Sequence, residues 1–290
     1  MKICFASIVG RPNVGKSSLL NSILGYNVAI VTNVAQTTRD QITGVYTDDT
    51  HQIIFTDTPG IHKPKNKLGE LLNKNAFDSI DGIDVLLFLS PADEEIGPGD
   101  KLILSRIENI KNKIAVISKI DKIKKNPEKL TKKIQELSEF NFDKIVSTDV
   151  SNDSSIVSLI NIIKEYSSEG ELQYDPDDIT DKSMRFLAKE IIRESAIERL
   201  FDELPHSIAV SVDSFEESDE KIVIEAIMYV KKDSQKGMLI GKNASKIKEI
   251  SKNARIKMSH QFGVPVSLYL KVKVAKKWND DEKSLSKLGY

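Results

Sequence analysis

One segment near the start of the chain has the glycines, lysine and serine of a phosphate-binding loop at the required spacing. Residues 10–17 read GRPNVGKS, after an apolar run and before an amphipathic stretch. Gly10 and Gly15 let backbone N–H groups turn inward on phosphate oxygens, and the N-terminus of the following helix adds its dipole. Lys16 can neutralise the β- and γ-phosphates, and the Ser17 hydroxyl can bind Mg²⁺. Because the full motif stands in its required context, it predicts a nucleoside triphosphate site rather than an ordinary strand–helix turn.

Two further segments follow in the order that a metal-dependent phosphate site requires. Residues 57–60 read DTPG and close another apolar run, where Asp57 can hold Mg²⁺ through water and the Gly60 N–H can meet a γ-phosphate. Residues 36–39 read QTTR, and Thr38 offers a hydroxyl to the metal. Each segment alone is weak, since Pro-Gly favours any turn and Thr-Thr is common. Because both segments follow the phosphate loop in the required order, Asp57 and Thr38 are predicted to bind the magnesium ion.

A third segment has the residues of a guanine-reading loop. Residues 118–121 read SKID and follow the apolar run 114–117. The Asp121 carboxylate can accept hydrogen bonds from guanine N1–H and its exocyclic amine, while the Lys119 stem packs on the base plane. Lys-x-Asp alone is a weak signal, but here it ends a strand at the edge of the sheet where ligands bind. The predicted base is therefore guanine.

The first 170 residues alternate short apolar runs with amphipathic stretches, which predicts an α/β domain with a largely parallel sheet. Residues 41–48 and 52–55 are the exception, because the three residues between them allow only an antiparallel hairpin. The other predicted strands are 3–9, 84–89, 114–118 and 144–147, and the predicted helices are 16–24, 68–80, 99–110, 127–140 and 155–166.

Residues 180–290 have a different pattern, which predicts an α+β domain of order αββαβ, either as it stands or with a short helix added before Gly241. A helix over 183–201 with Asp181 as its N-cap comes first, and two strands follow. A turn containing Gly237 and Gly241 leads into a basic helix. The predicted strands are 207–213, 221–230 and 267–275, and the basic helix is 244–261.

Composition limits the class of protein. The 290 residues are 40% apolar and 29% charged, which excludes a disordered chain, and the single cysteine, Cys4, cannot form an internal disulfide. No apolar segment approaches the ~20 residues that span a membrane, so we expect an intracellular protein. The formal net charge of −1 conceals an asymmetry, because residues 231–277 hold 13 Lys and Arg against 2 Asp and Glu. That excess predicts a polyanion site in the second half.

The ordered motifs GRPNVGKS, QTTR, DTPG and SKID resemble those of Ras-like GTPases of the translation-factor class. With the basic αββαβ half, the chain resembles the Era-like family of ribosome-assembly GTPases, which carry a C-terminal KH domain. The resemblance covers essentially all 290 residues, including QKGMLIGKN at 235–243. It implies a Ras-like P-loop GTPase domain with a mixed, mostly parallel sheet over 1–172, a linker over 173–181 and an α+β type II KH domain over 182–290.

The resemblance further implies an enzyme that hydrolyses GTP to GDP and phosphate with Mg²⁺. Its partner would be 16S ribosomal RNA near the 3′ end, in assembly of the small (30S) ribosomal subunit. The family is cytoplasmic with peripheral attachment to the inner face of the cell membrane, and we expect a monomer. The alternative is an RNA-binding protein whose nucleotide site is weakened and mainly structural.

The resemblance assigns roles to residues of this chain. Lys16, Thr38, Asp57 and Gly60 would act in catalysis, and Ser17, Thr38 and Asp57 would bind Mg²⁺. Asn13 resembles the asparagine that holds K⁺ in some relatives, and Ile61 stands where many GTPases have a water-orienting glutamine. The expected GTP-binding residues are Gly10, Arg11, Pro12, Asn13, Val14, Gly15, Lys16, Ser17, Ser18, Asp57, Thr58, Pro59, Gly60, Ser118, Lys119, Ile120 and Asp121.

Three positions depart from the family pattern. Ser118 replaces an asparagine that bonds guanine and braces the phosphate loop, and we expect the brace to be lost with it. The family's Ser-Ala, whose N–H meets guanine O6, falls at Asp149-Val150, or at 147–148 if the loop is longer. The Gly-x-x-Gly clamp of KH domains ends here in Ala244.

The second half supplies candidate RNA contacts around this clamp. Lysines there can meet phosphates, and Ile240 and Ile247 can form an apolar platform under the bases. The alternative is a helix whose lysines only face water. Trp278 is predicted to anchor the C-terminal tail rather than to stack on a base. The expected RNA-binding residues are Lys236, Gly237, Ile240, Gly241, Lys242, Asn243, Ala244, Lys246, Ile247 and Lys248.

Overall fold

The computed structural model describes residues 1–34, 37–61, 64 and 66–290, so Gln36 of the predicted QTTR motif lies outside the described residues. Backbone contacts divide the described chain into two compact units. The first contains residues 1–29, 38–61, 64 and 69–181, and the second contains 30–34, 37, 66–68 and 182–290. Among the described residues, no helix combines the length and the apolar character needed to cross a membrane.

The first unit is built on one sheet of order β2-β3-β1-β4-β5-β6, with β7 beside β1. The β2–β3 and β1–β7 pairs are antiparallel and the others are parallel, which confirms the predicted mixed, mostly parallel sheet and its hairpin. The strands are β1 (Lys2–Val9), β2 (Ile42–Thr47), β3 (His51–Asp57), β4 (Val85–Pro91), β5 (Lys113–Ser118), β6 (Lys144–Ser147) and β7 (Ser168–Glu169).

Helices connect the parallel strands of this sheet. Every residue of β4 and β5 is buried, as expected for central strands covered on both faces, and this explains their continuous apolar sequences. The helices are α1 (Lys16–Leu24), α2 (Lys67–Asp78), α3 (Pro98–Arg106), α4 (Glu128–Ser138) and α5 (Asp153–Lys164). The carboxyl ends of β1, β3 and β5 lie on one edge, where they place three of the four predicted motifs, GRPNVGKS, DTPG and SKID.

The second unit confirms the predicted α+β architecture. Its sheet has the order β10-β9-β8, with β10 parallel and β8 antiparallel to β9. Its elements are α6 (Met184–Ile197), α7 (Leu204–Ser207), β8 (Ala209–Glu217), β9 (Ile222–Val230), α8 (Asp233–Ile240), α9 (Ser245–Phe262), β10 (Val266–Val274) and α10 (Glu282–Lys287). Alternate residues of β9, with apolar residues of α6 and α9, form the buried core.

The cap and the end of α6, the start of β8 and the place of Gly237 differ from the sequence predictions. Helix α6 ends at Ile197 rather than at 201, and Gly237 lies inside α8 rather than in the turn. The N-cap of α6 is Ser183, whose hydroxyl accepts from the Phe186 N–H at 3.2 Å. Asp181 accepts a hydrogen bond from the Thr43 hydroxyl at 3.1 Å instead. The segment 204–207 is a helical turn, so the next strand begins at Ala209 rather than at Ser207.

The prediction for Trp278 is confirmed. Its side chain is fully buried, and its indole N–H donates to the Ser207 carbonyl at 3.0 Å. The indole stacks on Tyr290 with ring centroids 6.0 Å apart. Burial and stacking on the tail show that this residue holds the C-terminal segment.

Candidate nucleotide site and nucleic-acid interface

The phosphate loop runs from the end of β1 to the start of α1 and encloses Lys16. The side chain of Lys16 is buried, and its ammonium donates to the carbonyls of Gly10 at 3.2 Å and Arg11 at 3.1 Å. Burial lowers the pKa of Lys16 to about 8, although the charge of Asp57 opposes this. The lysine therefore remains mostly protonated at neutral pH and presents its charge inside the loop.

The backbone of the loop is shaped to receive an anion. Asn13 and Gly15 both adopt positive φ values, 64° and 105°. Gly15 is the N-cap of α1 and has no side chain that could occupy the N–H groups of the first helical turn. A concave run of N–H groups at a helix N-terminus is the usual protein site for phosphate. Ser18 lies in that first turn and is half-buried.

The three predicted magnesium ligands lie together. The Ser17 hydroxyl donates to Asp57 Oδ2 at 2.6 Å and lies 2.8 Å from the Thr38 hydroxyl. Asp57 is fully buried, and its Oδ1 has no hydrogen-bond partner among the residues that the structure describes. Two hydroxyls and a carboxylate form an all-oxygen donor set, which Mg²⁺ prefers. The residues present therefore fit this ion.

Burial also changes the acidity of the carboxylate in this cluster. Loss of solvation raises the pKa of Asp57 to about 6, while Lys16 and the Ser17 hydrogen bond oppose the shift. A buried carboxylate oxygen without a hydrogen-bond partner costs free energy of folding. Such an oxygen is expected at a site that binds a cation.

The segment after Asp57 passes directly against the phosphate loop. A Cβ at Gly60 would lie 2.6 Å from Pro12 Cα, so only glycine fits. The Thr58 hydroxyl donates to the Ile8 carbonyl at 2.9 Å. Ile61 is apolar and buried in the core beside Val9, so its side chain cannot orient a water molecule.

The SKID segment also contacts the phosphate loop. The buried Ser118 hydroxyl donates to the Val14 carbonyl at 2.6 Å, and the Lys119 ammonium donates to the Asn13 carbonyl at 2.5 Å. The expectation that Ser118 leaves the loop unbraced is therefore wrong, because the hydroxyl replaces the longer amide. Lys119 has a left-handed φ of 56°, and a 3₁₀ turn over Ile120–Ile123 follows and carries the exposed Asp121.

The two alternatives for the family's Ser-Ala are distinguished by the end of β6. Thr148, the first residue after β6, is still tied to the sheet because its N–H donates to the Ile117 carbonyl of β5 at 2.8 Å. The loop proper begins at Asp149, which favours the Asp149-Val150 assignment. Asp149 accepts the N–H and hydroxyl of Ser151, and these hydrogen bonds lower the pKa of its carboxyl.

The predicted RNA clamp forms a tight turn between α8 and α9 despite its alanine. Asn243 and Ala244 both adopt left-handed backbone conformations, with φ values of 53° and 59°. A Cβ at Gly241 would lie 2.9 Å from the Cβ of Lys246, so the turn needs glycine there. Ala244 therefore holds a left-handed conformation that glycine adopts without a steric cost.

A groove of about 330 Å³ lies beside α9. Of the predicted RNA contacts, Ile247 and Lys248 line it, and the structure adds four residues that sequence reasoning missed. The lining residues are Ile247, Lys248, Ser251, Lys252, Arg255 and Leu270. The pairs 248/252 and 251/255 have i, i+4 spacing, so the helical residues could have been found from the helix period. Leu270 comes from β10, which only the sheet places here.

The remaining predicted RNA contacts lie on the elements before this groove. Lys236 and Gly237 belong to α8, Ile240 ends it, and the exposed Lys242 starts the 3₁₀ turn over Lys242–Ala244. Lys246 is half-buried in the first turn of α9. The groove thus combines lysine and arginine cations with apolar walls, a combination that suits single-stranded nucleic acid.

A known protein family matches each of the two units. Residues 5–122 match the family described as 50S ribosome-binding GTPase, and residues 203–279 match the KH domain family. The GTPase Era of Mycoplasmopsis agalactiae is 64% identical over 290 residues, with 100% of both chains covered. That of Mycoplasmopsis pulmonis is 54% identical over 291 residues, with 99% of both covered.

Two solved structures resemble the whole chain, each at 37% identity over 100% of this chain and 99% of the other. One is a crystal structure of Era in complex with MgGDPNP and nucleotides 1506–1542 of 16S ribosomal RNA, with a TM-score of 0.95. The other is a variant of Aquifex aeolicus Era bound to GDP·AlF4⁻, with a TM-score of 0.94.

Proposed function

This chain belongs to the Era family of GTPases, and from that membership and its site geometry we propose that it hydrolyses GTP to GDP and phosphate and binds the 3′ region of 16S ribosomal RNA during assembly of the small ribosomal subunit. The observation that carries the proposal is the cluster of Ser17, Thr38 and Asp57 beside the enclosed Lys16. A site freed from catalysis need not keep all four residues, so the cluster favours an enzyme over a purely structural nucleotide site.

Hydrolysis would rest on positioning and electrostatics. The N–H groups of the phosphate loop and of the first turn of α1 hold the β- and γ-phosphate oxygens, and Lys16 neutralises their charge. Ser17, Thr38 and Asp57 would hold Mg²⁺, which when bound supplies further positive charge to the same oxygens. The Ile61 side chain cannot form a hydrogen bond with the attacking water. Another group must therefore orient that water molecule.

Lys16→Ala tests the site directly. We expect loss of hydrolysis, because the Arg11 side chain is paired with two carboxylates and does not replace the lysine charge. Phosphate release by wild type and by Lys16→Ala in matched GTP is the measurement. Equal turnover by the two proteins would remove the site assignment.

We further propose that K⁺ occupies the phosphate loop beside Asn13. The support is the left-handed conformation of Asn13 at the turn of the loop and the buried Ile61 in the glutamine position. Hydrolysis should be faster in KCl than in NaCl at equal ionic strength, and the difference should vanish in Asn13→Ala. Equal rates in the two salts for wild type would contradict the proposal.

The RNA proposal rests on the second unit. Its glycine turn, basic α9 and adjoining groove have the arrangement with which KH modules grip ~4 nucleotides. The relative of known structure was crystallised with nucleotides 1506–1542 of 16S ribosomal RNA, and the same RNA segment is the probe for this chain. Failure to bind it, with binding to GTP intact, would leave a GTPase with another partner.

For localisation, we propose a cytoplasmic monomer that attaches peripherally to the inner face of the cell membrane. Family membership alone supports this. Cell fractionation with a salt wash tests the attachment, and sedimentation of the purified protein tests the oligomeric state.

A further inference from the structure

The arginine of the phosphate loop is turned away from the phosphate site and onto helix α3. Its Nη2 lies 2.8 Å from Glu94 Oε2, and its Nε forms an ion pair with Asp100 Oδ2 at 2.8 Å. Glu94 lies near the surface with 44% of its side chain exposed, whereas the Asp100 side chain is fully buried. Removing one partner of a buried ion pair leaves an uncompensated charge, which is strongly destabilising, so Asp100 and Arg11 depend on each other.

The first turn of α3 is shaped around this arginine. Asp100 Oδ2 also accepts the Gly97 N–H at 3.0 Å, which fixes the carboxylate relative to the helix start. A Cβ at Gly99 would lie 2.7 Å from Arg11 Cδ, so the absence of a side chain there lets the arginine stem lie against the helix. Asp100 thus holds the guanidinium of Arg11, while Gly99 leaves room for its aliphatic stem.

The backbone of Arg11 connects this contact to the catalytic lysine. The Arg11 carbonyl accepts from the Lys16 ammonium at 3.1 Å, and the next residue, Pro12, lies directly against Gly60, where a Cβ would be 2.6 Å from Pro12 Cα. A shift of Arg11 therefore moves an acceptor of Lys16. Displacement of a positioning group by ~1 Å can cost about a hundredfold in rate.

We infer that Asp100 is a positioning residue for GTP hydrolysis, which through the Arg11 side chain holds the first turn of the phosphate loop and thereby the Lys16 ammonium. This inference rests on the GTP hydrolysis proposed above. A group that acts only through a second residue is expected to change turnover more than nucleotide binding, because several backbone N–H groups share the binding.

The experiment compares Asp100→Asn, Arg11→Met and the double variant with wild type. Asparagine keeps the shape and can still accept the Gly97 N–H, but it loses the charge that holds the guanidinium. We expect kcat to fall about tenfold or more in each single variant with KM for GTP within about threefold, and the double variant to be no slower than either single one. Glu95→Gln is the matched control, because Glu95 is the exposed neighbour of Glu94 and pairs with Lys132 of α4 rather than with Arg11.

A second measurement reports the loop directly. The ³¹P resonance of the β-phosphate of bound GDP senses the hydrogen bonds and charge of the phosphate loop. It should move in Asp100→Asn and Arg11→Met and stay at the wild-type position in Glu95→Gln.

The outcomes separate this inference from the proposed function. A lowered melting temperature with wild-type kcat and a wild-type ³¹P resonance would show that Asp100 serves folding alone, and would overturn the inference. If Asp100→Asn does not fold, Arg11→Met provides the same test from the half-exposed side of the pair. If wild type itself fails to hydrolyse GTP, the proposed function is wrong, and the ³¹P resonance with GDP still decides whether Asp100 positions the loop.

Discussion

Ser118 lies where the family's base-reading motif begins with asparagine, and its hydroxyl reaches the Val14 carbonyl of the phosphate loop. Both residues are buried, at 5% and 1% exposure, so no water can replace the bond. The chain thus keeps one of the two tasks of the asparagine, the brace on the loop. The shorter serine cannot perform the other task, the contact with the base, so we expect recognition of guanine to rest more heavily on Asp121.

Ser118→Ala should weaken binding of both GTP and GDP. The substitution removes a hydrogen-bond donor from a buried carbonyl, which costs about 1–3 kcal/mol, equivalent to roughly 5- to 150-fold in affinity if the bound state bears the whole cost. Titration with a fluorescent GDP analogue measures the effect. Ser138→Ala, at an exposed serine bonded to a helix carbonyl of α4, should bind as wild type does. Unchanged affinity in Ser118→Ala would show that the brace does not act on the site.

Asp121→Asn should exchange a preference for GTP for a preference for XTP. The carboxylate is expected to accept guanine N1–H and N2–H₂, whereas the asparagine NH₂ can donate to the carbonyl that xanthine carries in place of the amine. Competition between GTP and XTP for the two proteins is the measurement, and Asp219→Asn in the second unit is the control. A retained GTP preference would mean that the base is read by another segment.

At the scale of elements, two turns each depend on one residue. One turn holds an alanine in a conformation that alanine does not favour, and the other depends on the charge of an aspartate. The clamp turn before α9 holds Ala244 in the left-handed region, and the turn from β2 to β3 closes on Asp48. In each case we expect a substitution of that one residue to change the free energy of unfolding.

Ala244→Gly should stabilise the clamp turn. A left-handed conformation costs an L-residue about 1–2 kcal/mol, partly offset by the larger entropy of glycine in the unfolded chain. We expect the free energy of unfolding to rise by up to about 1 kcal/mol and RNA affinity to hold or increase. Ala254→Gly, at a buried helical position in α9, should destabilise instead and serves as the control. A destabilised Ala244→Gly would contradict the left-handed assignment.

Asp48→Asn should destabilise the first unit most at neutral pH. Partial burial raises the pKa of Asp48, but hydrogen bonds from Lys164, Thr50 and His51 outweigh it and hold that pKa well below its usual value. A depressed folded pKa stabilises the protein above the unfolded value near 3.8, and this stabilisation is lost as the pH falls through the folded pKa.

Urea unfolding of wild type and Asp48→Asn from pH 7 down to pH 3 measures this. The difference in free energy of unfolding should be about 1–2 kcal/mol at pH 7 and shrink at acidic pH. Asp49→Asn, the exposed neighbour, should follow wild type throughout. A difference that does not depend on pH would assign the effect to shape rather than charge.

At the scale of the whole molecule, charge is distributed unevenly along the chain. The net charge of −1 hides an excess of cations in residues 231–277, which include α8, α9 and β10. An RNA contact made there must release counterions from the phosphates.

RNA affinity should therefore fall steeply with salt, with a logarithmic slope of about −0.7 for each phosphate neutralised on a single strand. Lys242→Ala should weaken binding and reduce the slope by about 0.7, while Lys132→Ala on α4 should change neither. Titrations of 16S 3′-end RNA at several KCl concentrations supply the slopes. A binding isotherm that does not respond to salt would favour a helix whose lysines only face water.

Patterns that are local in sequence determined the elements and the chemistry of this protein. The phosphate loop is one contiguous motif, and the predicted bounds of α1, 16–24, are those of the structure, because helix period and loop glycines act over a few residues. Local patterns also predicted the mostly parallel sheet, the hairpin and the αββαβ order of the second unit. The helix cap at Ser183 was missed because a nearby aspartate is an equally good cap by composition.

Only the tertiary structure decided which distant residues meet. Ser118 braces Val14 across 104 positions, Arg11 pairs with Asp100, and Leu270 closes the groove beside α9. Such contacts depend on strand order, here β3-β1-β4-β5, and the period of an apolar run does not encode which strand lies beside it. Side-chain reach then selects the partner, so a short serine could replace an asparagine where residue type alone predicted a loss.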